Sequence, residues 1–310
     1  MEQFLAQLPQ QIINGLTLGS VYALIALGYS MVYGILQLLN FAHGDVYMIG
    51  AFIGFGVLAA LIPASGPLTL PAAAIILLAL LAAMLGCGLL GIAIEWFAYR
   101  PLRNSPRIAP LISALGMSIL LQNSVQLTLT ASYRIYRTDK LIPITAGIDF
   151  GETHVSAVRA LVILSAIVLM IVLTYLVRRT RLGRAMRAVA LDREAAAMMG
   201  INVDRIIVLT FFIGSALAGG AGALNGLVFT RVWHTMGFTA GLKGFTAAVV
   251  GGIGNIPGAM LGGMILGLIE AFAVGFISPT YKETITFIVL VIFLLIRPRG
   301  ILGATAAQKV

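Results

Sequence analysis

The 310-residue sequence predicts an all-α, polytopic membrane fold carrying an inverted internal repeat, and three observations lead there. Hydrophobic residues make up 60 % of the chain and charged ones only 10 %, against roughly half and a quarter in soluble domains. The apolar residues fall in runs of the length, roughly 20 residues, that a helix needs to cross a bilayer core of about 30 Å. Two pairs of similar strings also occur in the same order in the two halves.

The apolar runs are Ile12 to Val32, Val46 to Ile62, Leu70 to Phe97, Ile108 to Thr128, Ala157 to Val177, Ile206 to Phe229, Leu242 to Ile253, Ile256 to Ile277 and Tyr281 to Ile296. Eight are long enough to span. Leu242 to Ile253 is too short to do so alone and reads as a half-helix or one limb of a broken helix. The alternating pattern of an outer-membrane barrel is missing. Glycines recur at four-residue spacing, as Gly15 with Gly19, Gly258 with Gly262, and Gly214, Ala218, Gly222 and Gly226; small residues so placed let helices pack closely. The single Cys87 lies in an apolar run and reads as a packing residue. The first residues lack a basic region ahead of an apolar one, so no cleaved signal peptide is expected.

Basic residues give the orientation. Arg100, Arg103 and Arg107 follow the third run, seven arginines between Arg178 and Arg205 follow the fifth, and Arg297, Arg299 and Lys309 follow the last. Basic loops are retained in the cytoplasm, so these three sites are expected inside, with the N-terminus outside. Parity then makes Leu242 to Ile253 part of a crossing. The stretch Tyr133 to Ser156, where Arg134, Arg137 and Lys140 are offset by Asp139, Asp149 and Glu152, is expected to be an external loop. Trp96, Tyr99, Tyr133, Tyr136, Tyr175, Trp233 and Tyr281 fall near run ends, as an interfacial aromatic belt would. The net charge of +9 is explained by these loops, and nucleic-acid binding is not expected.

The repeat pairs LLNFAHGDVYMIGAF (Leu38 to Phe52) with TMGFTAGLKGFTAAV (Thr235 to Val249), and LLGIAIEWFA (Leu89 to Ala98) with ILGLIEAFA (Ile265 to Ala273). It divides a single domain, 1–310, into copies over about 12–128 and 206–297, with a charged segment, 178–205, outside the membrane. An offset of five spans inverts the second copy, and inverted repeats with interrupted helices are the signature of transporters.

No motif for covalent or hydrolytic chemistry is expected to act here. None of Lys140, Lys243, Lys282 and Lys309 follows a glycine as a phosphate-binding loop requires, and His43, His154 and His234 lack ligand spacing, so no metal site is expected. Neither a catalytic residue nor a cofactor bound by this chain is anticipated. Asn40, His43 and Asp45 lie between the first two spans, where Asn40 or Asp45 can cap the next helix or, with His43, sit beside a pathway. Polar groups at membrane depth tend to line cavities, which makes Asn40, His43, Asp45, Thr239 and Glu270 candidates for a pathway or gate. Glu95 can reach Arg100 at the membrane surface, whereas Glu270 has no partner nearby in sequence and reads as an ion carrier or as one end of an interhelical hydrogen bond. Gln122 and Gln126 read as interhelical glue.

The charged segment, RRTRLGRAMRAVALDREAAAMMGINVDR, lacks proline and is rich in helix formers up to Gly200, which stops it as a helix C-cap does. A short helix or helix pair is predicted, with Ala195, Ala196, Met198 and Met199 offering an adaptable apolar face that anionic lipid alone would not require. Glu194, Ala195 and Ala196, followed after three residues by Gly200, resemble the EAA-x3-G core of the loop by which ABC importer permeases engage their ATPases; the I-x-L-P continuation is absent, Thr210 being the tenth residue after Gly200.

Three longer strings, NGLTLGSVYALIALGYSMVYGILQLLNFAHGDVYMIGAF, TRLGRAMRAVALDREAAAMMGINVDRII and FTAAVVGGIGNIPGAMLGG, occur in that order and resemble the branched-chain amino acid ABC transporter permease family nearly end to end. The resemblance implies a bacterial inner-membrane permease working by alternating access. Its partners would be a second homologous permease, two cytoplasmic ATPases that use ATP-Mg, and a periplasmic substrate-binding protein, with Arg184, Arg187, Glu194, Ala195, Ala196 and Gly200 in the ATPase-coupling segment. Permeases for urea or short amides share much of the pattern. From the residues alone, an ion-coupled secondary transporter using Glu270 or Asp45 and a receptor-like membrane scaffold are the other classes.

Overall fold

A computed structural model describes residues 2–303 except 64, 65, 69, 104, 107, 144, 151 and 152. Arg107, Glu152 and Lys309, counted above among the loop charges, lie outside the described residues. The described chain is almost wholly helical: α1 (Glu2–Leu36), α2 (His43–Leu61), α3 (Ala72–Ile94), α4 (Ile108–Thr128), α5 (Ala157–Arg179), α6 (Arg181–Leu191), α7 (Arg193–Met198), α8 (Val203–Phe229), α9 (Met236–Gly251), α10 (Ile256–Phe276) and α11 (Lys282–Ile296). Among the described residues, eight helices are long and apolar enough to cross a membrane. α3 is continued to Leu102 by a π turn over Glu95–Tyr99 and a 3-10 turn.

The stretch read as an external loop contains one small antiparallel sheet and a strand of a second. β2 (Gly147–Phe150) pairs with β3 (Thr153–Ser156), and β1 (Arg134–Ile135) pairs with β4 (Arg231–Val232), which follows α8. The strand pairing puts the ends of α4 and α8 on one face, and Lys140 Nζ donating to the Pro63 carbonyl (3.0 Å) brings the end of α2 there too. Asn14 of α1 meets Arg159 of α5 on that same face.

On the opposite, second face Arg193 donates to the Ile35 and Leu36 carbonyls at the end of α1 (2.9 and 3.0 Å). Arg103 after α3 pairs there with Asp204 of α8. Ile301 N–H donates to the Val250 carbonyl (2.9 Å), which draws the segment after α11, with Arg297 and Arg299, to this face as well. The basic groups expected to share a side therefore do so among the described residues.

α1 packs along α10 and α3 along α8, with α2 and α9 lodged between these pairs. The glycine spacing makes this possible. A Cβ on Gly19 would fall 2.8 Å from Met264 Cα, and one on Gly15 equally close to Leu268 Cα. Spacing that short leaves no room for any side chain, so the stripe carries packing. Cys87 is likewise buried, its Sγ directed at the Val46 carbonyl (3.3 Å).

α9 answers the question of the short run. It begins at Met236 rather than Leu242, because the glycine-rich turn MGFTAG is held between α1 and α2 and folds as helix despite its polarity. Its 16 residues cover about 24 Å, less than the hydrocarbon core. α8 ends on the first face and α9 on the second, so residues 230–252 join the faces, an irregular stretch supplying the first part and α9 the rest.

The aromatic belt is only partly as expected. Trp96, Tyr133, Tyr175 and Tyr281 are exposed, but Tyr99 and Tyr136 are buried. The π turn rotates Tyr99 inward relative to a regular helix. Tyr136 follows β1, its hydroxyl donating to the Ala51 carbonyl of α2 (2.5 Å), and a Cβ on Gly226 would run into its ring. Burial raises the Tyr136 hydroxyl well above its ordinary pKa, so it stays a donor.

Candidate functional site

The chain leaves α1 through Gln37, which takes a left-handed conformation (φ 56°), and turns back into the bundle before α2 begins. His43 at the start of α2 lies against Gly28, where any Cβ would meet the imidazole; Gly28 is two turns, about 12 Å, above the end of α1. Asn40, His43 and Asp45 are thus brought together at depth, and all three are no more than 2 % exposed.

Neither Asn40 nor Asp45 caps α2. The N-cap position is Ala42, with no side-chain bond to the free N–H groups. Asp45 sits inside the first turn and reaches across to α4, accepting from Ser118 Oγ and from Gln122 Nε2 (2.9 Å). Gln122 is the interhelical glue expected; Gln126 is exposed instead. Asp45 also serves α9: a Cβ on Gly237 would fall 2.7 Å from its Oδ1, and one on Gly241 3.0 Å from the Gly44 Cα. The starts of α2 and α9 therefore meet at glycines, with one carboxylate beside both positive helix ends.

Asn40 accepts from the Tyr99 hydroxyl (3.1 Å), which also approaches the Leu39 carbonyl (3.2 Å). His43 stacks edge-on against Tyr29 (4.7 Å between centroids), and its ring nitrogens have no hydrogen-bond partner of normal geometry among the described residues. Thr239, by contrast, is exposed on the first turn of α9, bonded to its own helix at the Met236 carbonyl (3.2 Å).

Glu270 is apart from this group. It accepts from Lys243 Nζ of α9 (2.8 Å) and from the Tyr22 hydroxyl of α1 (3.0 Å), with Lys243 5 % exposed and Glu270 4 %. Lys243 also reaches Glu283 of α11 at 3.2 Å. An interhelical ion pair thus satisfies the glutamate. Sequence reasoning missed Lys243 as its partner, although a lysine inside an apolar run is itself a signal that a carboxylate lies across a helix interface. Glu95 is fully buried and pairs chiefly with Arg103, with Arg100 at 3.9 Å.

The segment after α5 forms the expected helix pair. Thr180 caps α6, its hydroxyl accepting from Gly183 N–H (3.1 Å), and Asp192 caps α7 by accepting from Glu194 and Ala195 N–H (2.9 and 3.0 Å). Gly200, at φ 80°, ends it, with Ile201 N–H closing on the Ala196 carbonyl (3.1 Å). Arg184, Arg187, Glu194, Ala195 and Gly200 are exposed, Arg187 donating to the Val177 carbonyl. Ala196 differs from expectation: it is 4 % exposed and packs into the core, whereas Leu191, Met198 and Met199 are more than 80 % exposed. Arg193, also missed, points inward to the end of α1. Burial, and then the nearby Arg103, lower its pKa from the ordinary guanidinium value.

A family model described as the permease component of the branched-chain amino acid transport system matches residues 11–294. The high-affinity branched-chain amino acid transport system permease protein LivH of Salmonella typhimurium is 46 % identical over 314 residues, covering 100 % of this chain and 99 % of its own. LivH of Escherichia coli K12 is 45 % identical over 315 residues with the same coverage. The corresponding permease protein BraD of Pseudomonas aeruginosa is 46 % identical over 306 residues, 97 % of each chain.

Proposed function

The chain belongs to the branched-chain amino acid transport permease family, and on that premise we propose that it carries branched-chain or related amino acids inward by alternating access, driven by ATP hydrolysed on partner subunits. The partners are a second homologous permease, two cytoplasmic ATPases using ATP-Mg and a periplasmic binding protein. The face bearing α6 and α7 is cytoplasmic, in keeping with retention of basic loops, and the face with α1's first turns and the two small sheets is periplasmic.

One observation carries this reading. Leu191 at the end of α6, Met198 at the end of α7 and Met199 just after it are exposed beside Glu194 and Gly200, while Arg193 of α7 is bonded into the end of α1. Large apolar side chains held in water call for a covering partner, and the inward arginine gives that partner mechanical access to the bundle. The pairing of the helices supports reading the rest as an inverted repeat. α1 against α10 is matched by α3 against α8, and α2 against α3 by α9 against α10, as copies related by an axis through the Gly44–Gly241 contact would arrange them. Asn40, His43 and Asp45 form the closed gate beside that axis. Thr239 marks its open side, and Glu270 holds α9 to α1 and α10.

In the reconstituted complex, Glu194→Lys and Gly200→Val should abolish substrate-stimulated ATP hydrolysis while leaving membrane insertion intact. Stimulation equal to the unsubstituted complex in both variants would refute the docking role of α7.

A further inference from the structure

On the first face a cavity of about 660 Å³ is walled by α1, β1, the turn after it, β3, α5 and the end of α8. Its polar lining is unusual in what it leaves unsatisfied. Arg159 of α5 reaches into it and donates to Asn14 Oδ1, and Gln10, with its amide turned to donate to the His154 carbonyl (3.2 Å), gives Arg159 a second neutral acceptor at 2.8 Å. Among the described residues no carboxylate pairs with this guanidinium. Amide oxygens use its N–H groups without offsetting its charge. Thr138 also lines the cavity, is 5 % exposed, and its Oγ1 has no hydrogen-bond partner among the described residues. His154 is already engaged by Asp149 (2.6 Å).

A buried hydroxyl without a partner is costly unless something fills the position, and a guanidinium fork is shaped for carboxylate or phosphate. Beside these donors the wall is apolar, with Ile142, Val158, Leu227 and Val228. Asp139, exposed at the lining, is the one acid there among the described residues, placed to meet a cation and to disfavour ligands with more than one negative charge.

We propose that this cavity binds an oxyanion headgroup attached to an apolar group, with Arg159 and Thr138 on the oxyanion and the aliphatic wall on the rest. Two sources share that chemistry: the carboxylate of an aliphatic α-amino acid and the phosphate of a lipid headgroup. The first rests on the proposed function; the site itself does not.

The test uses the complete transport complex in a non-ionic maltoside detergent free of added phospholipid, without binding protein or nucleotide. Binding of L-leucine, of leucinamide, which keeps the ammonium and lacks the carboxylate, and of a short-chain phosphatidylglycerol is measured on the unsubstituted complex and on Arg159→Gln and Thr138→Val. Loss of one charge-assisted contact should weaken the oxyanion ligand about tenfold in Arg159→Gln, and the near-isosteric Thr138→Val should weaken it several-fold without loss of thermal stability. Leucine bound about tenfold more tightly than leucinamide assigns the site to amino acids; phosphatidylglycerol bound in an Arg159-dependent way, with no leucine bound, assigns it to lipid. Equal affinity in all three proteins, or equal binding of leucine and leucinamide with no lipid bound, overturns the proposal. Arg159-dependent binding in a complex that transports no amino acid would overturn the proposed function and leave this site standing.

Discussion

Replacing Lys243 with methionine keeps its length and removes the one cation among the described residues in contact with the buried Glu270. What remains to Glu270 is the Tyr22 hydroxyl at 3.0 Å, with the carboxylate 4 % exposed. Breaking a buried pair from one side costs about 3–5 kcal/mol because the orphaned charge stays out of water. The reciprocal change, Glu270→Gln, is gentler. Lys243 keeps Glu283 at 3.2 Å, and the glutamine oxygen still accepts from Tyr22, so the loss is that of one charged hydrogen bond, about 1–3 kcal/mol. At about 2 °C per kcal/mol for a large domain, Lys243→Met should lower the melting temperature of the detergent-solubilised complex by roughly 6–10 °C and Glu270→Gln by roughly 2–6 °C. Joining the two substitutions should return part of the loss, since the neutral amide no longer strands a charge. Size-exclusion recovery after stepped heating reads all three. Equal losses in the two single variants, or a double variant whose loss is their sum, would refute the assignment of Lys243 as Glu270's counter-ion.

Two further outcomes follow from contacts described above. Tyr136→Phe removes only the hydroxyl bonded to the Ala51 carbonyl and should cost about 1 kcal/mol, seen as a melting shift of about 2 °C with substrate-stimulated ATP hydrolysis unchanged; no shift would mean that the buried carbonyl finds water instead. Gly19→Leu places a side chain where α10 backbone lies 2.8 Å away and should prevent recovery of folded complex, whereas Gly56→Leu, facing open space, should leave it intact; equal recoveries would show that the α1–α10 contact is looser than described.

What could be read in the residues depended on whether the cause was local. Burial in lipid is a property of each segment, so eight spans emerged from apolar runs. Capping is local too, which is why the turn at Gly200 and the helix pair before it were legible. Capping by Asn40 or Asp45 was misjudged for the opposite reason: Asp45 has a capping residue's chemistry, but α4 brings Ser118 and Gln122 to it across 73 and 77 residues. Lys243 and Glu270 become a pair only once α9 docks on α10. Tyr99 turned inward because of a π turn that no periodicity announces, and Ala196 turned inward because α7 is too short to keep an apolar face wholly on one side.

α1 is one unbroken helix of 35 residues, about 50 Å long. One end is gripped by Arg193 of α7; nearer the other, Asn14 and Gln10 form part of the wall that holds Arg159. A helix packed against α10 along this length behaves as a push-rod, because displacing one end while the other stays still would break a row of glycine contacts. Force applied at the basic face is therefore delivered to the opposite face without a relay of side-chain switches.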